Sequence, residues 1–340
     1  MRNPTAMSEK PKILLLTTGG TVGMLRNPDG SLFPCQDARV LLERVPELKG
    51  LADIDLLAIA NVDSSNLQPE LWLRIARAIY QRIDAYDGFV VTHGTDTLAY
   101  TSAALSFVLQ ELPKPVILTG AQLPVEDIGT DARCNLINAV RVATSDIAEV
   151  AVVFGSQIIR GTRARKTSVF DMQAITSAKS IPLGNIGLLI QLNRDVRRRS
   201  GRRVLLQPFL NENVARIPVY PGFNPEILEY LSTAHAGIVL EGFGTGNIPT
   251  ETKSLIPAIQ AATEKNVPVV VCTQCIIGST QMGLYQVGRA ALNAGAIPAM
   301  DMTPETTLVK LMWVLGQTGD LPTVASLMQK AFADELDEID

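Results

Sequence analysis

Histidine and cysteine are scarce: 340 residues hold only two histidines, His93 and His235, and four cysteines, Cys35, Cys134, Cys272 and Cys275. That inventory argues against a structural zinc site or a disulfide framework. An enzyme built from this chain would work mainly with hydroxyls, carboxylates and lysines. No run approaches 18 apolar residues, so no segment reads as a membrane-spanning helix. The first eleven residues, with Glu9, Lys10 and Pro11, lack the apolar core of a secretory signal. A basic excess is also missing. Thirty Lys and Arg stand against 34 Asp and Glu, a net charge of −4, which argues against a general binder of nucleic acid or anionic membranes. Apolar residues at 46 % and charged ones at 19 % match globular averages and exclude wholesale disorder. The length fits two ordinary domains or one large one.

What is present alternates at the interval of strand–helix–strand units. Strands are expected at Lys12–Thr17, Gly88–Thr92, Pro115–Thr119 and Val150–Phe154. Helices are expected at Pro69–Arg82, Thr97–Leu109 and Asp131–Ala143, the first from the 3.6-residue spacing of Leu71, Ile75, Ala78 and Ile79. Strands that are almost wholly apolar point to a parallel sheet covered on both faces. After Ile186, segments Gly187–Leu192 and Val204–Leu210 read as a hairpin around a basic turn. Alternation then resumes with strands Gly237–Leu240 and Val267–Cys272 and helices Pro249–Lys265, Val287–Ala294 and Pro304–Gly316. The predicted architecture is α/β with two domains. A larger N-terminal domain (12–206), doubly wound and mainly parallel, is joined by a linker (207–220) to a smaller, Rossmann-like α/β domain (221–340). The acids Asp334, Glu335, Asp337, Glu338 and Asp340 read as a solvated end.

The polar residues gather where the strands stop. One ends in Thr17-Thr18-Gly19-Gly20-Thr21, another in Thr92-His93-Gly94-Thr95-Asp96, others in Thr119-Gly120-Ala121-Gln122 and Gly155-Ser156-Gln157. In an open parallel sheet such ends share one edge, where ligands bind. Glycines there let backbone approach a small ligand while hydroxyls bond it. A single such turn is also ordinary helix capping; several along one edge point to a site. The loop 21–34, with its Asn-Pro-Asp-Gly turn, reads either as a lid over Thr21 or as a surface hairpin.

Thr18-Gly19-Gly20-Thr21, His93-Gly94-Thr95-Asp96-Thr97-Leu98, Thr119-Gly120-Ala121 and Gly242-Phe243-Gly244-Thr245-Gly246-Asn247 resemble the signatures of bacterial-type L-asparaginases. Gly295–Leu315 resembles the C-terminal region of the cytoplasmic, type I branch, and the likeness runs from about Lys12 to about Lys330. The resemblance implies hydrolysis of L-asparagine to L-aspartate and ammonia in the cytoplasm, by a homodimer or homotetramer. It implies no metal or organic cofactor and no nucleic-acid or membrane partner. Thr21 would attack the side-chain amide and form an acyl-enzyme. Thr162-Arg163-Ala164-Arg165-Lys166-Thr167 resembles the family's lysine segment, so Thr95, Asp96 and Lys166 would form a second catalytic cluster. Asp96 would pair with the substrate ammonium, and Asp63 and Ser64 would belong to the turn that binds its carboxylate. Taken alone, Asp63 and Ser64 read as the cap of a helix start. The Ala121 carbonyl would hold the amide, and Asn247 matches a position implicated where a neighbouring subunit closes the pocket. One departure stands out: many members carry a tyrosine in the mobile loop, whereas this loop offers Ser31, Leu32 and Phe33. The group that takes the Thr21 proton is therefore left unassigned by the sequence.

Other features carry less. Gly242 to Gly246 spells G-x-G-x-G rather than the dinucleotide fingerprint. Cys272-Thr-Gln-Cys275 has redox spacing without a thioredoxin-like helix start. His93 reads as a packed histidine fixing its turn, and His235 as surface. The six arginines of Arg194–Arg203 read as a solvated turn. Two alternatives remain: the amidotransferase subunit of transfer-RNA-dependent synthesis, which usually has a sizeable N-terminal extension, and a non-catalytic asparagine sensor.

Overall fold

A computed structural model describes residues 10–26, 29–30, 32–34 and 39–337. Residues 1–9 and 338–340 lie outside it, so the expectations for the N-terminus and for Glu338 and Asp340 lie outside the described residues, as do Cys35, Ser31 and parts of the loop 21–34.

The larger sheet has eight strands. Its parallel part runs, in space, Asp53–Val62, Lys12–Gly19, Gly88–Thr92, Val116–Thr119, Val150–Phe154. Gln157–Arg160, Gly184–Ile186 and Ile190–Leu192 extend it antiparallel. Side chains alternate between two cores. Leu14, Leu16, Phe89, Val91 and Leu118 enter one, and Ile13, Leu15, Val90 and Ile117 the other. That two-sided burial is why the strands read as unbroken apolar runs. From the strand Lys12–Gly19 the chain adds Asp53–Val62 on one side, then crosses to Gly88–Thr92 on the other. Between Lys12–Gly19 and Gly88–Thr92 lies the topological switch point, the crevice where open α/β sheets bind ligands.

The smaller sheet has four parallel strands: Val214–Pro218, Gly237–Gly242, Val269–Thr273 and Ile297–Pro298. Helices begin where the local chemistry demands. Pro69 and Pro304 occupy first-turn positions, where no backbone donor is needed, and the Thr303 side chain accepts from the Thr306 amide. The helix Pro304–Leu315 packs against the helix Leu98–Val108, with Phe107 and Trp313 stacked at a centroid distance of 5.8 Å. One continuous core thus joins residues of both sheets.

Several expectations are corrected. The hairpin across the basic turn does not form: Ile190–Leu192 pairs with Gly184–Ile186, and Leu205–Leu206 pairs with Leu109–Gln110. A strand, Val214–Pro218, lies within the stretch read as linker. The helix expected from Pro249 begins only at Ile256, because Lys253 takes φ +93° and breaks the turn before it. The arginine run is exposed at Arg194, Arg198, Arg202 and Arg203, as expected, but much of it is also tied to the fold. Arg199 donates to the carbonyls of Ser145, Asp87 and Ala143, Arg198 to that of Asp146, and Arg202 to Glu111. The acidic end departs from expectation at Glu335, which is fully buried against Lys310, whereas Asp337 is exposed as expected.

Candidate active site

Four strand-end turns meet at the switch point, and glycine is what lets them touch. Gly20 sits at φ +81°, a conformation costly for other residues. A β-carbon there would lie 2.4 Å from the Gly94 nitrogen. A β-carbon on Gly94 would lie 2.5 Å from Ser64 Oγ, and one on Gly120 2.6 Å from the His93 carbonyl oxygen. The turns carrying Thr21, Thr95 and Ala121 are therefore stacked backbone to backbone, with the Ser64 side chain packed on Gly94. Thr18 Oγ1 donates to the Thr92 carbonyl at 2.9 Å and fastens two of the strand ends together.

Above this floor the charged residues converge. The Lys166 ammonium donates to Thr95 Oγ1 at 2.8 Å and to Asp96 Oδ1 at 2.6 Å. Thr95 is buried, Lys166 half-buried and Asp96 exposed, so the cluster is rooted inside and open outside. A cation donating to both oxygens stabilises negative charge developing on either. Thr21, half-buried, opens a short 3-10 turn, Thr21–Gly23, held by the Gly23 amide on the Gly20 carbonyl at 3.1 Å. Beyond it Met24–Arg26 and Leu32–Pro34 pair as a small antiparallel hairpin.

The strand Asp53–Val62, which the sequence does not delimit, delivers Asp63 and Ser64 to the same edge. Asp63 caps the turn: its Oδ1 accepts from the Ser65 amide at 2.8 Å and the Ser65 hydroxyl at 2.6 Å. The hydroxyl bond first, then the amide, holds this carboxyl below its ordinary value. Ser64 is buried, and its carbonyl accepts from Thr97 Oγ1 at 2.7 Å. Ala121 is buried in its turn, which the Asp131 carboxylate fixes by accepting from the Gln122 and Leu123 amides. Asn247 belongs to the turn closing the second sheet's strand Gly237–Gly242, where its amide and that of Phe243 exchange backbone bonds. Within the described chain its side chain is not bonded to Thr95, Asp96 or Lys166. Its buried Oδ1, like Thr245 Oγ1, has no partner among the described residues.

His93 is fully buried. Its Nδ1–H donates to the Gly94 carbonyl at 2.7 Å and its Nε2 accepts from Thr101 Oγ1 at 2.8 Å, which fixes the tautomer. Burial pushes its pKa down to about 4, with the Gly94 carbonyl opposing, so it is a neutral strut of the turn. Burial pushes the Cys272 thiol up to about 12, which keeps it from thiolate chemistry. One neighbour of the cluster escapes sequence reasoning. Gln122 Oε1 lies 3.5 Å from the Thr95 hydroxyl, while its Nε2 donates to the Val169 carbonyl at 3.0 Å. Its turn was visible as a strand end, but nothing in one sequence singles out that amide.

Two family models match in tandem. "Asparaginase, N-terminal" covers residues 12–198, and "Glutaminase/Asparaginase C-terminal domain" covers 213–328. The chain belongs to the asparaginase family. Among asparaginases of known structure, the thermostable L-asparaginase from Thermococcus kodakarensis superposes with a TM-score of 0.90 at 39 % identity, over 96 % of this chain and all of that one. The L-asparaginase I from Vibrio cholerae gives 0.88 at 34 % identity, over 97 % of this chain and 100 % of that one. In sequence, the asparaginase-like chain is 40 % identical to a glutamyl-tRNA(Gln) amidotransferase subunit of Pyrococcus horikoshii, over 96 % of this chain and 77 % of that protein. Among the described residues of this asparaginase-family chain, no helix is long and apolar enough to cross a membrane, and no group of three or more His, Cys, Asp or Glu could hold a metal.

Proposed function

We propose that the chain hydrolyses the side-chain amide of L-asparagine to L-aspartate and ammonia through a covalent intermediate on Thr21. The observation that carries this reading is the Lys166 ammonium seated on Thr95 and Asp96, at the switch point where the Thr21 turn rides on the Thr95 turn. Thr21 Oγ attacks the amide carbon, the C–N bond breaks, and ammonia leaves carrying the added proton. A water then attacks the ester, releases aspartate and returns the proton to Thr21. Lys166, Thr95 and Asp96 polarise the attacking oxygen and stabilise charge as it develops. Asp96 commits one carboxylate oxygen to Lys166 and offers the other to the substrate ammonium. Ser64, on the turn that Asp63 caps, receives the α-carboxylate, and the Ala121 carbonyl takes an amide N–H. The resemblance supports a role for Asn247 across an interface between copies of this chain, in a homodimer or homotetramer. A cytoplasmic setting and chemistry without a cofactor belong to the same reading, supported by the resemblance to the type I branch.

The test is ammonia release from L-asparagine by the purified chain. Thr95→Ala and Lys166→Met should each lower kcat by about 10²–10⁴-fold, the usual range for removing an acid–base group, and Thr21→Ala by more, since it removes the nucleophile. Glutamine belongs in the same assay, because one methylene is worth only about 1–3 kcal/mol of discrimination. A second reading has its own support in the identity to glutamyl-tRNA(Gln) amidotransferase subunits of two Pyrococcus species, 40 % and 39 %. There the chain would release ammonia for transfer to glutamyl-tRNA(Gln), and turnover of free asparagine by the chain alone would be slow. A protein that binds asparagine without releasing ammonia would be a sensor.

A further inference from the structure

Lys166 lies on Ala164–Lys166, a strand of three residues that pairs with Ile175–Ser177. That two-stranded ribbon stands outside both large sheets, so its own pairing does not fix where the ammonium lands. The residues just upstream are gripped instead from both domains. On one side Ser102 Oγ, from the helix that follows Asp96, donates to the Gly161 carbonyl at 2.6 Å. On the other, Thr306 Oγ1 donates to the Thr162 carbonyl at 2.6 Å, and Thr162 Oγ1 to the Ala333 carbonyl at 3.3 Å.

Arg163 is the centre of this grip. It is 1 % exposed, and its Nη1 donates to Asp301 Oδ2 at 2.7 Å and to the Asp301 carbonyl at 3.1 Å. Its Nη2 reaches Asp337 Oδ1 at 3.3 Å, and the Asp337 amide closes the loop on Asp301 Oδ1 at 3.1 Å. The segment that supplies Asp337 is itself pinned. Arg197 holds Asp334 and the Phe332 carbonyl, and Lys310 holds Glu335. This segment lies beyond residue 328, where the C-terminal family match ends. A buried guanidinium contributes little to stability, since apolar groups of similar volume often do as well. Here Nε finds no partner among the described residues.

We propose that Arg163 is a positioning residue: held by Asp301 and by the C-terminal segment through Asp337, it sets where Lys166 presents its ammonium to Thr95 and Asp96. The second domain and the segment around Asp337 thereby control the chemical step without touching the substrate. This rests on the amidohydrolase reading above, so the test carries a readout independent of turnover.

Arg163→Met, Arg163→Lys and the charge-balanced pair Arg163→Met with Asp301→Asn would be compared with the wild-type chain. Three quantities are read: kcat and KM for ammonia release from asparagine, the thermal midpoint, and labelling of Lys166 against Lys114 by an acylating reagent, followed by peptide mass spectrometry. Lys114 serves as the control because it is held away from the grip, on the Ile83 and Tyr86 carbonyls. Positioning predicts a fall in kcat of about 100-fold, the order expected for a displacement near 1 Å. KM should stay within about threefold, Arg163→Lys should recover part of the loss, and labelling should rise at Lys166 alone. Unchanged kcat and Lys166 labelling in the folded double variant would overturn the proposal. So would labelling that rises equally at Lys114 with a collapsed midpoint, which marks general loosening. If the wild-type chain releases no ammonia, the functional reading fails, while the labelling ratio still decides whether Arg163 places Lys166.

Discussion

Replacing Lys310 by methionine should cost more stability than any exposed charge change, and the structure says how much. Lys310 and Glu335 are both wholly buried, with Nζ 2.5 Å from Glu335 Oε1. The other two ammonium donors go to the carbonyls of Met328 at 2.9 Å and Lys330 at 2.8 Å, so all three protons are used. Burial still holds the Lys310 pKa below its usual value, with Glu335 opposing that shift. Methionine fills the same volume but leaves the Glu335 carboxylate with only the Phe332 and Ala333 amides. Breaking one side of such a pair costs about 3–5 kcal/mol. At about 2.1 cal/mol/K per residue, 340 residues give an unfolding entropy near 0.7 kcal/mol/K, so the midpoint should fall by about 4–7 °C. Adding Glu335→Gln should recover most of the loss. Calorimetry at pH 8 checks this. A single variant as stable as wild type at pH 8, or a double variant worse than the single, would refute the reasoning.

Other outcomes follow from the same geometry. Gly20→Ala forces a β-carbon against Gly94 at positive φ, and should displace Thr21 and lower kcat/KM by about 100-fold; near-normal turnover would show that the turns are not rigidly stacked. His93 is neutral when folded, with a pKa near 4 against an ordinary 6.5, so the unfolded chain binds the extra proton between those values. Its stabilising contribution is complete above about pH 6.5 and shrinks as pH falls towards 4, by about 3 kcal/mol in all. Denaturant titrations from pH 7.5 to 4.5 should show this slope in wild type and a flatter one in His93→Gln.

Much of this architecture was legible because two-sided burial leaves a plain mark: the strands around Leu14, Val90 and Ile117 are apolar at nearly every position. The site was legible for a related reason, since Gly20, Gly94 and Gly120 interrupt those runs where backbones must touch. Two kinds of feature were not. The strand Asp53–Val62 is a half-buried edge strand whose apolar run, residues 56–60, ends in Asn61-Val62-Asp63 rather than in a glycine turn like the others. Arg197, Arg199, Asp334 and Glu335 read as solvated charge, because their partners lie far away in sequence. Arg163 and Asp301 are 138 residues apart, and Arg197 and Asp334 are 137 apart. Long-range charge pairing has no periodicity for a sequence to display.

The central claim is that Thr21 becomes acylated while Lys166, Thr95 and Asp96 drive the chemistry. The most direct test is to quench the purified chain during turnover of L-asparagine and map any covalent adduct by peptide mass spectrometry. The account predicts an aspartyl ester on the peptide carrying Thr21, absent in Thr21→Ala and formed far more slowly in Lys166→Met. An adduct on Thr95 instead, or undiminished ammonia release by Thr21→Ala, would contradict it.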